Sequence, residues 1–178
     1  MIITISGLPG SGTSTVAELL SEKTGMEIIS SGEVFREMAR DRAMSLESFS
    51  DLAEENEEID RKLDDRMIEK AEEGRILEGR LTGHLLDSSD DEAYKVWLEA
   101  PLDVRVKRIT DREGEEIEEV KVKVKKREKS ERKRYQDYYG IDLLDTSIYD
   151  LVLDSDKHSP EEIVKKIMEG AADEICKE

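Results

Sequence analysis

Short apolar runs alternate along this chain with longer stretches in which apolar residues return every three or four positions. Met1 to Ser6, Met26 to Ser30, Arg75 to Leu77, Tyr94 to Leu98 and Tyr149 to Leu153 have the length and side chains of buried strands. Between them the spacing predicts helices. The first runs from Thr13 to Thr24, with Val16, Leu19 and Leu20 facing inward and Gly25 at its C-terminal cap. Others are expected from Gly32 to Arg42, Ser45 to Glu54, Asn56 (the N-cap) to Gly74, and Pro101 to Arg112. The charged stretch from Glu113 to Tyr139 is also expected to be helical. Ser159-Pro160-Glu161-Glu162 is a capping box that opens the last helix. Strands separated by helices predict an α/β fold: three α/β/α layers around a five-stranded parallel sheet covered on both faces.

A chain of 178 residues fits a single domain over 1–178. Hydrophobic residues make up 37% and charged residues 41%, and the net charge is −17. A chain this acidic is a poor general nucleic-acid binder, so no nucleic-acid partner is expected. The charge is uneven, however. Residues 121–134 hold nine Lys and Arg against Glu128 and Glu131. A basic block in an acidic chain points to an anionic ligand held at one place, although many of its lysines fit a solvated helix face equally well. No apolar run has the length of a membrane span, and no signal-peptide pattern is visible. The single cysteine, Cys176, has no partner for an intramolecular disulfide. A cytoplasmic setting follows as the expectation. The oligomeric state is not written in the sequence; a monomer is expected.

In a parallel sheet, ligands gather at the carboxyl ends of the strands. Three loops meet there: Gly7 to Thr15 after the first strand, Ser31-Gly32 after the second, and Glu78-Gly79-Arg80 after the third. The first reads Gly7-Leu8-Pro9-Gly10-Ser11-Gly12-Thr13-Ser14-Thr15 and opens a helix. Its glycines let backbone N–H groups wrap a phosphate, and the helix dipole adds to the attraction. Ser14 stands where such loops bind Mg²⁺ through a hydroxyl. The pattern calls for Lys after the last glycine, yet this chain has Thr13, and Lys23 is too far along the helix to replace it.

The chain resembles the archaeal-type cytidylate kinases, within the nucleoside monophosphate kinases. The likeness covers nearly the whole length. It rests on the phosphate loop, Ser31-Gly32-Glu33-Val34-Phe35-Arg36, Leu77-Glu78-Gly79-Arg80-Leu81-Thr82-Gly83, Trp97-Leu98-Glu99-Ala100-Pro101-Leu102, Arg127 to Tyr135, Tyr139-Gly140-Ile141-Asp142 and Ser147 to Leu151. The resemblance implies a P-loop NTPase-type core, an acceptor-binding segment over about 31–74 and a lid over about 112–134. It implies transfer of the ATP γ-phosphoryl group to CMP or dCMP with Mg²⁺. Arg36 and Arg80, with Ser31, Gly32, Glu78 and Gly79, match the acceptor side. Arg108 and Arg112 match arginines near the lid hinge, one against adenine and one near the donor phosphates. Arg127 and Arg134 match lid arginines that close on the transferring group, so Arg80, Arg127 and Arg134 are the catalytic candidates.

Residue chemistry agrees with this. Phosphoryl transfer needs alignment and neutralisation of charge more than covalent help, and the arginine fork suits phosphate oxygens. Arg127 and Arg134, seven residues apart, fall on one helix face and so suit a joint role. Glu78 is open to three roles: support of Mg²⁺ through water, contact with the acceptor, or orientation of Arg80. His84 and His158 show no metal-ligand spacing, and Trp97 reads as core. Other monophosphate acceptors remain as alternatives, although adenylate kinases show Asp-Gly-x-Pro-Arg where this chain has Glu78-Gly79-Arg80-Leu81. A nucleotide-binding regulator without catalysis also remains, with Thr13 as its support.

Overall fold

In a computed structural model that describes residues 1–87 and 92–175, all five strands pair in parallel, in the order β2-β3-β1-β4-β5. The strands are β1 (Ile2–Gly7), β2 (Glu27–Ser30), β3 (Arg75–Glu78), β4 (Ala93–Glu99) and β5 (Leu151–Asp154). The helices are α1 (Thr13–Thr24), α2 (Ser31–Asp41), α3 (Leu46–Glu55), α4 (Glu57–Glu69), α5 (Thr82–Asp87), α6 (Leu102–Glu113), α7 (Ile117–Tyr139) and α8 (Pro160–Ile175). Cys176 lies outside the described residues. Among the described residues, no helix is long and apolar enough to cross a membrane.

The alternation of β1 explains the layers. Ile3 and Ile5 point to one face, where they pack with Val16 and Leu20 of α1 and with Ile163, Val164 and Ile167 of α8. Ile2 points to the other face and joins Leu77, Val34, Met38, Phe49, Ile59 and Met67 from β3 and α2 to α4. The central strand is therefore apolar on both faces, as a parallel sheet requires. A third cluster, with Trp97, Tyr135, Leu143 and Tyr149, lies beneath the end of α7. A small fourth one joins Val106 and Ile109 of α6 to Val120 and Val124 of α7.

Three expectations change. The charged stretch is not helical from Glu113: α6 ends there, Gly114 caps it at φ 72° with its N–H on Thr110 O, and α7 begins at Ile117. α4 ends at Glu69 rather than near Gly74. The pattern also gave no sign of α5, six residues long and directly behind Arg80 and Leu81. It is fixed by tertiary bonds: Thr82 and Gly83 bond the buried hydroxyl of Ser6 on β1. By contrast, the capping box forms as expected, with Ser159 N–H on Glu162 and Glu162 N–H on the Ser159 hydroxyl.

Candidate active site

The carboxyl ends of β1, β2 and β3 bring the three loops together. Gly7 closes β1 and Leu8 packs into the Trp97 cluster, which anchors the loop's entry. Gly10 adopts φ +83°, and a Cβ there would stand 2.6 Å from the carbonyl oxygen of Arg105, so no larger residue fits. Gly12 caps α1 without a side-chain hydrogen bond. The N–H groups of Thr13, Ser14 and Thr15 therefore start the helix without intrahelical partners, at its positive end. Ser11 differs from expectation: its N–H donates to Leu8 O at 3.0 Å and is used inside the loop rather than kept for an anion. Gly10 to Thr15 line a cleft of about 730 Å³, whose far wall is Arg108, Arg112 and residues 155–160.

Helix α6 braces this loop. N–H groups that aim at a phosphate leave their carbonyls aimed outward, and those carbonyls need donors. One nitrogen of Arg108 lies 3.4 Å from both Gly10 O and Ser11 O and 2.9 Å from Ser155 Oγ. The other donates to Ser155 O at 2.8 Å, and Ser155 Oγ donates to Ser11 O at 2.6 Å. Arg108 is thus fixed, while Arg112 is exposed at the cleft rim and paired with Glu113.

Glu78 takes a part the sequence reading did not weigh. Its carboxylate accepts from Thr13 Oγ1 at 2.6 Å, from Ser14 Oγ at 3.3 Å and from Ser30 Oγ at 2.8 Å. It ties the phosphate loop to the end of β2 and does not orient Arg80. Ser31-Gly32, expected as a turn, instead opens α2 directly. Ser30 stands at the N-cap without capping, because its hydroxyl goes to Glu78. A Cβ on Gly79 would collide with Ser31 Oγ, so glycine is required where β3 meets α2. Arg36 is exposed one turn into α2, its guanidinium beside Gly32.

The remaining arginines are held by carboxylates. Arg80 Nε lies 2.6 Å from Glu131 Oε2, an ion-pair distance, although the pair is too far out of line for a good hydrogen bond. Arg127 Nε donates to the other Glu131 oxygen at 2.9 Å. Arg134 donates to Asp60 of α4 at 2.6 Å, and the Tyr139 hydroxyl donates to Asp64 one turn further along α4, also at 2.6 Å. Arg127 and Arg134 therefore share a helix but engage different carboxylates. Within the basic block, Arg127 pairs with Glu131 on the same helix, while Arg134, Glu128 and Glu131 find partners elsewhere in Asp60, Arg105 and Arg80. Burial pushes the Asp64 carboxyl up to about 7 against the pull of the Tyr139 hydroxyl, with neighbouring Asp60 and Asp65 adding to the rise. Asp60 also rises through burial, with Arg134 opposing.

Sequence reasoning passed over Arg105, Asp60, Asp64, Ser30 and Ser155. Arg105 is 4% exposed. Its signal was its place in the α6 stripe Leu102, Arg105, Val106, Ile109, where a charge breaks an apolar face. Asp60 and Asp64 likewise sit four apart beside Ile59, Leu63 and Met67. Of the two histidines, His84 stacks edge-on against Tyr149 and His158 meets Asp154 O. Among the described residues, no cluster of His, Cys, Asp and Glu could by itself hold a metal ion.

Residues 2–157 match the model of the Cytidylate kinase-like family. The chain is 46% identical over 183 residues to a cytidylate kinase of Methanopyrus kandleri, covering 98% of this chain and 94% of the relative. It is 51% identical over 160 residues to a cytidylate kinase of Methanosarcina mazei, covering 88% of each. Among solved structures, shikimate kinase from Aquifex aeolicus shares the fold with a TM-score of 0.59, 18% identity and 99% of both chains covered. A gluconokinase from Sinorhizobium meliloti does so with a TM-score of 0.60 and 16% identity, covering 96% of this chain and 90% of its own.

Proposed function

This chain belongs to the cytidylate kinase-like family, and we propose that it transfers the γ-phosphoryl group of ATP to CMP, and to dCMP, giving ADP and CDP or dCDP. The observation that carries this reading is the juxtaposition of two anion-binding sets at one sheet edge. A phosphate loop opens α1, and a second group of arginines rises beside it from β3, α2 and α7.

The donor phosphates lie along the N–H groups of Gly10 and of Gly12 to Thr15. The nucleoside extends into the cleft between α6 and residues 155–160, with Arg108 and Arg112 alongside. The acceptor lies over residues 31–74, its phosphate met by Arg36 and Arg80 near Ser31, Gly32, Glu78 and Gly79. An oxygen of the acceptor phosphate attacks the γ-phosphorus in line with the departing ADP oxygen. Alignment supplies much of the acceleration, and arginines neutralise the equatorial oxygens. Arg80, Arg127 and Arg134 do this by exchanging Glu131 and Asp60 for phosphate oxygens as the 112–134 segment closes and excludes water.

The donor set suits Mg²⁺. Ser14 Oγ and the Glu78 carboxylate are hard oxygen ligands 3.3 Å apart, and Mg²⁺ keeps waters and substrate phosphates rather than an all-protein cage. Ser14 would hold the ion directly and Glu78 through water. The bound ion would shield negative charge on the donor phosphates.

A coupled assay with MgATP and each common monophosphate tests the reading. CMP is expected to give the highest kcat/KM, with dCMP next. More efficient use of AMP than of CMP would overturn the acceptor assignment.

A further inference from the structure

Arg105 is nearly inaccessible to solvent and has no route to a substrate, yet it makes three bonds to three different parts of the molecule. Its Nε donates to Ala100 O at 3.0 Å, at the end of β4. One terminal nitrogen donates to Pro9 O of the phosphate loop at 3.1 Å, and the same nitrogen pairs with Glu128 of α7. Its own carbonyl is the atom that limits residue 10 to glycine. Loop, sheet edge and α7 thus meet on one guanidinium.

We propose that Arg105 is a positioning residue for ATP binding, and that Glu128 makes the geometry of the phosphate loop depend on where α7 sits. The proposal rests on the kinase reading only as far as ATP being the donor. The physical basis is the orientation of the loop peptides. A peptide whose N–H faces an anion has its carbonyl on the opposite side, and a cation bonded to that carbonyl both fixes the plane and polarises the N–H. Arg105 does this for the Pro9–Gly10 peptide, whose N–H belongs to Gly10, a residue that lines the cleft. Arg108 does the same through Ser11 O for the peptide that carries the Gly12 N–H, and it also approaches Gly10 O, whose peptide N–H is used inside the loop.

The α6 brace therefore covers three successive peptides, but only its first support reaches α7. Glu128 touches no loop atom in the bonds described. It acts on the loop through Arg105, as a carboxylate that holds the fork in place and balances its buried charge. A shift of α7 that draws Glu128 away leaves Arg105 with Pro9 and Ala100 but without its anion, and the loop loses part of its support. In the reverse direction, ATP that orders the loop favours the seated position of α7, since coupling between sites is reciprocal.

The test is a double-mutant cycle on the full chain, with MgATP affinity by calorimetry as readout and melting temperature recorded alongside. Arg105→Lys keeps the charge but loses the fork, and is expected to weaken MgATP binding about tenfold, the size of one charge-assisted bond. Glu128→Gln, distant from the nucleotide, is expected to weaken it about threefold. In the Arg105→Lys background the same change is expected to have almost no effect, because the path is already cut. Unchanged MgATP affinity in Arg105→Lys, with a lower melting temperature, would make the residue a plain structural bridge and overturn the proposal. So would a Glu128→Gln effect that is absent, or equal in both backgrounds. If Arg105→Lys does not fold, Glu128→Gln decides alone, through its change in MgATP affinity or lack of one. Because ATP affinity is the readout, failure to phosphorylate CMP would strike the acceptor reading and leave this one standing.

Discussion

The proposed donor side and the proposed acceptor side of the site are built from the same kinds of residue, put to opposite uses. On the donor side, Arg105, Arg108 and Ser155 bond backbone carbonyls of the phosphate loop, whose residues Gly10 to Thr15 line an open cleft together with Arg108 and Ser155. The N–H groups of Thr13, Ser14 and Thr15 have no intrahelical partner to give up. On the acceptor side, Arg80, Arg127 and Arg134 face carboxylates, Glu131 and Asp60, both under 10% exposed. There a phosphate must compete with an anion already in place. On the proposed reading the donor half is preorganised, while the acceptor half would exchange partners on binding, and that exchange would make acceptor binding conditional on movement of α7. Closure coupled to the acceptor guards ATP against attack by water.

The sharpest break of this comparison is Arg80→Ala. If acceptor-side arginines act after exchange, turnover should fall about a hundredfold, since charge-assisted bonds to phosphate contribute about 1.5–3 kcal/mol each. MgATP affinity should stay within about twofold of wild type, because Arg80 touches none of the donor loop's braces. Kinetics with CMP as variable substrate, together with direct MgATP titration, separate the two. Loss of MgATP affinity equal to the loss of turnover would mean that the two halves are not distinct.

That division could be read from the sequence only on one side. The phosphate loop is local: glycine spacing, a preceding strand and a following helix all sit within fifteen residues, so both its fold and its chemistry were legible. The sheet and most helices were legible for the same reason, because Ile3, Ile5, Val16 and Leu20 announce their faces through periodicity. The acceptor side is built from contacts across long separations, such as Arg134 with Asp60 and Arg80 with Glu131. Arginines there could be nominated by position, but their partners could not. Asp60 and Glu131 read as solvated charges until α4 and α7 are seen packed together. The boundary of α7 was missed because Gly114 lies inside a continuous run of helix-favouring charged residues, and one left-handed residue outweighs the run. α5 was missed because its support comes from Ser6, far away in sequence.

A second way to sharpen the contrast uses pH. Burial holds Asp64 at about 7, against an ordinary 3.8, so the folded state binds a proton more tightly than the unfolded chain. That contribution is fully present below about pH 4 and is lost as pH rises through about 7. The α4–α7 junction should therefore loosen across this window. One group alone gives at most about 1.4 kcal/mol for each pH unit separating its folded and unfolded pKa values. Asp60, itself raised by burial, shifts stability in the same direction, so the fall belongs to the pair. Asp64→Asn, which still accepts from Tyr139, should flatten the fall of chemical-denaturation stability between pH 4 and pH 7.5. An unchanged slope in the variant would place the titration elsewhere.

The smallest effect is expected at Thr13, where the loop departs from its own pattern. A lysine in that position ordinarily meets the β- and γ-phosphates. Here the Thr13 hydroxyl donates to Glu78 at 2.6 Å, and Ser14 and Ser30 converge on the same carboxylate. The local charge is therefore negative where other loops are positive. In Thr13→Lys, the nearest anion for the new ammonium is Glu78 itself. The pair would largely neutralise internally, leaving only part of the added charge for ATP. MgATP affinity should rise by no more than about threefold, with turnover changed by a similar factor, well under one full charge-assisted bond. The wild type should show the steeper dependence on Mg²⁺ concentration, because a cation must then offset Glu78 as well as the donor phosphates. Turnover and MgATP affinity, measured for both proteins over a range of Mg²⁺ and salt, settle the matter. A wild type inactive under every condition, with transfer restored by lysine, would mean that Glu78 and its three hydroxyls cannot compensate for the missing ammonium, and that the preorganised donor side binds nucleotide without being able to use it.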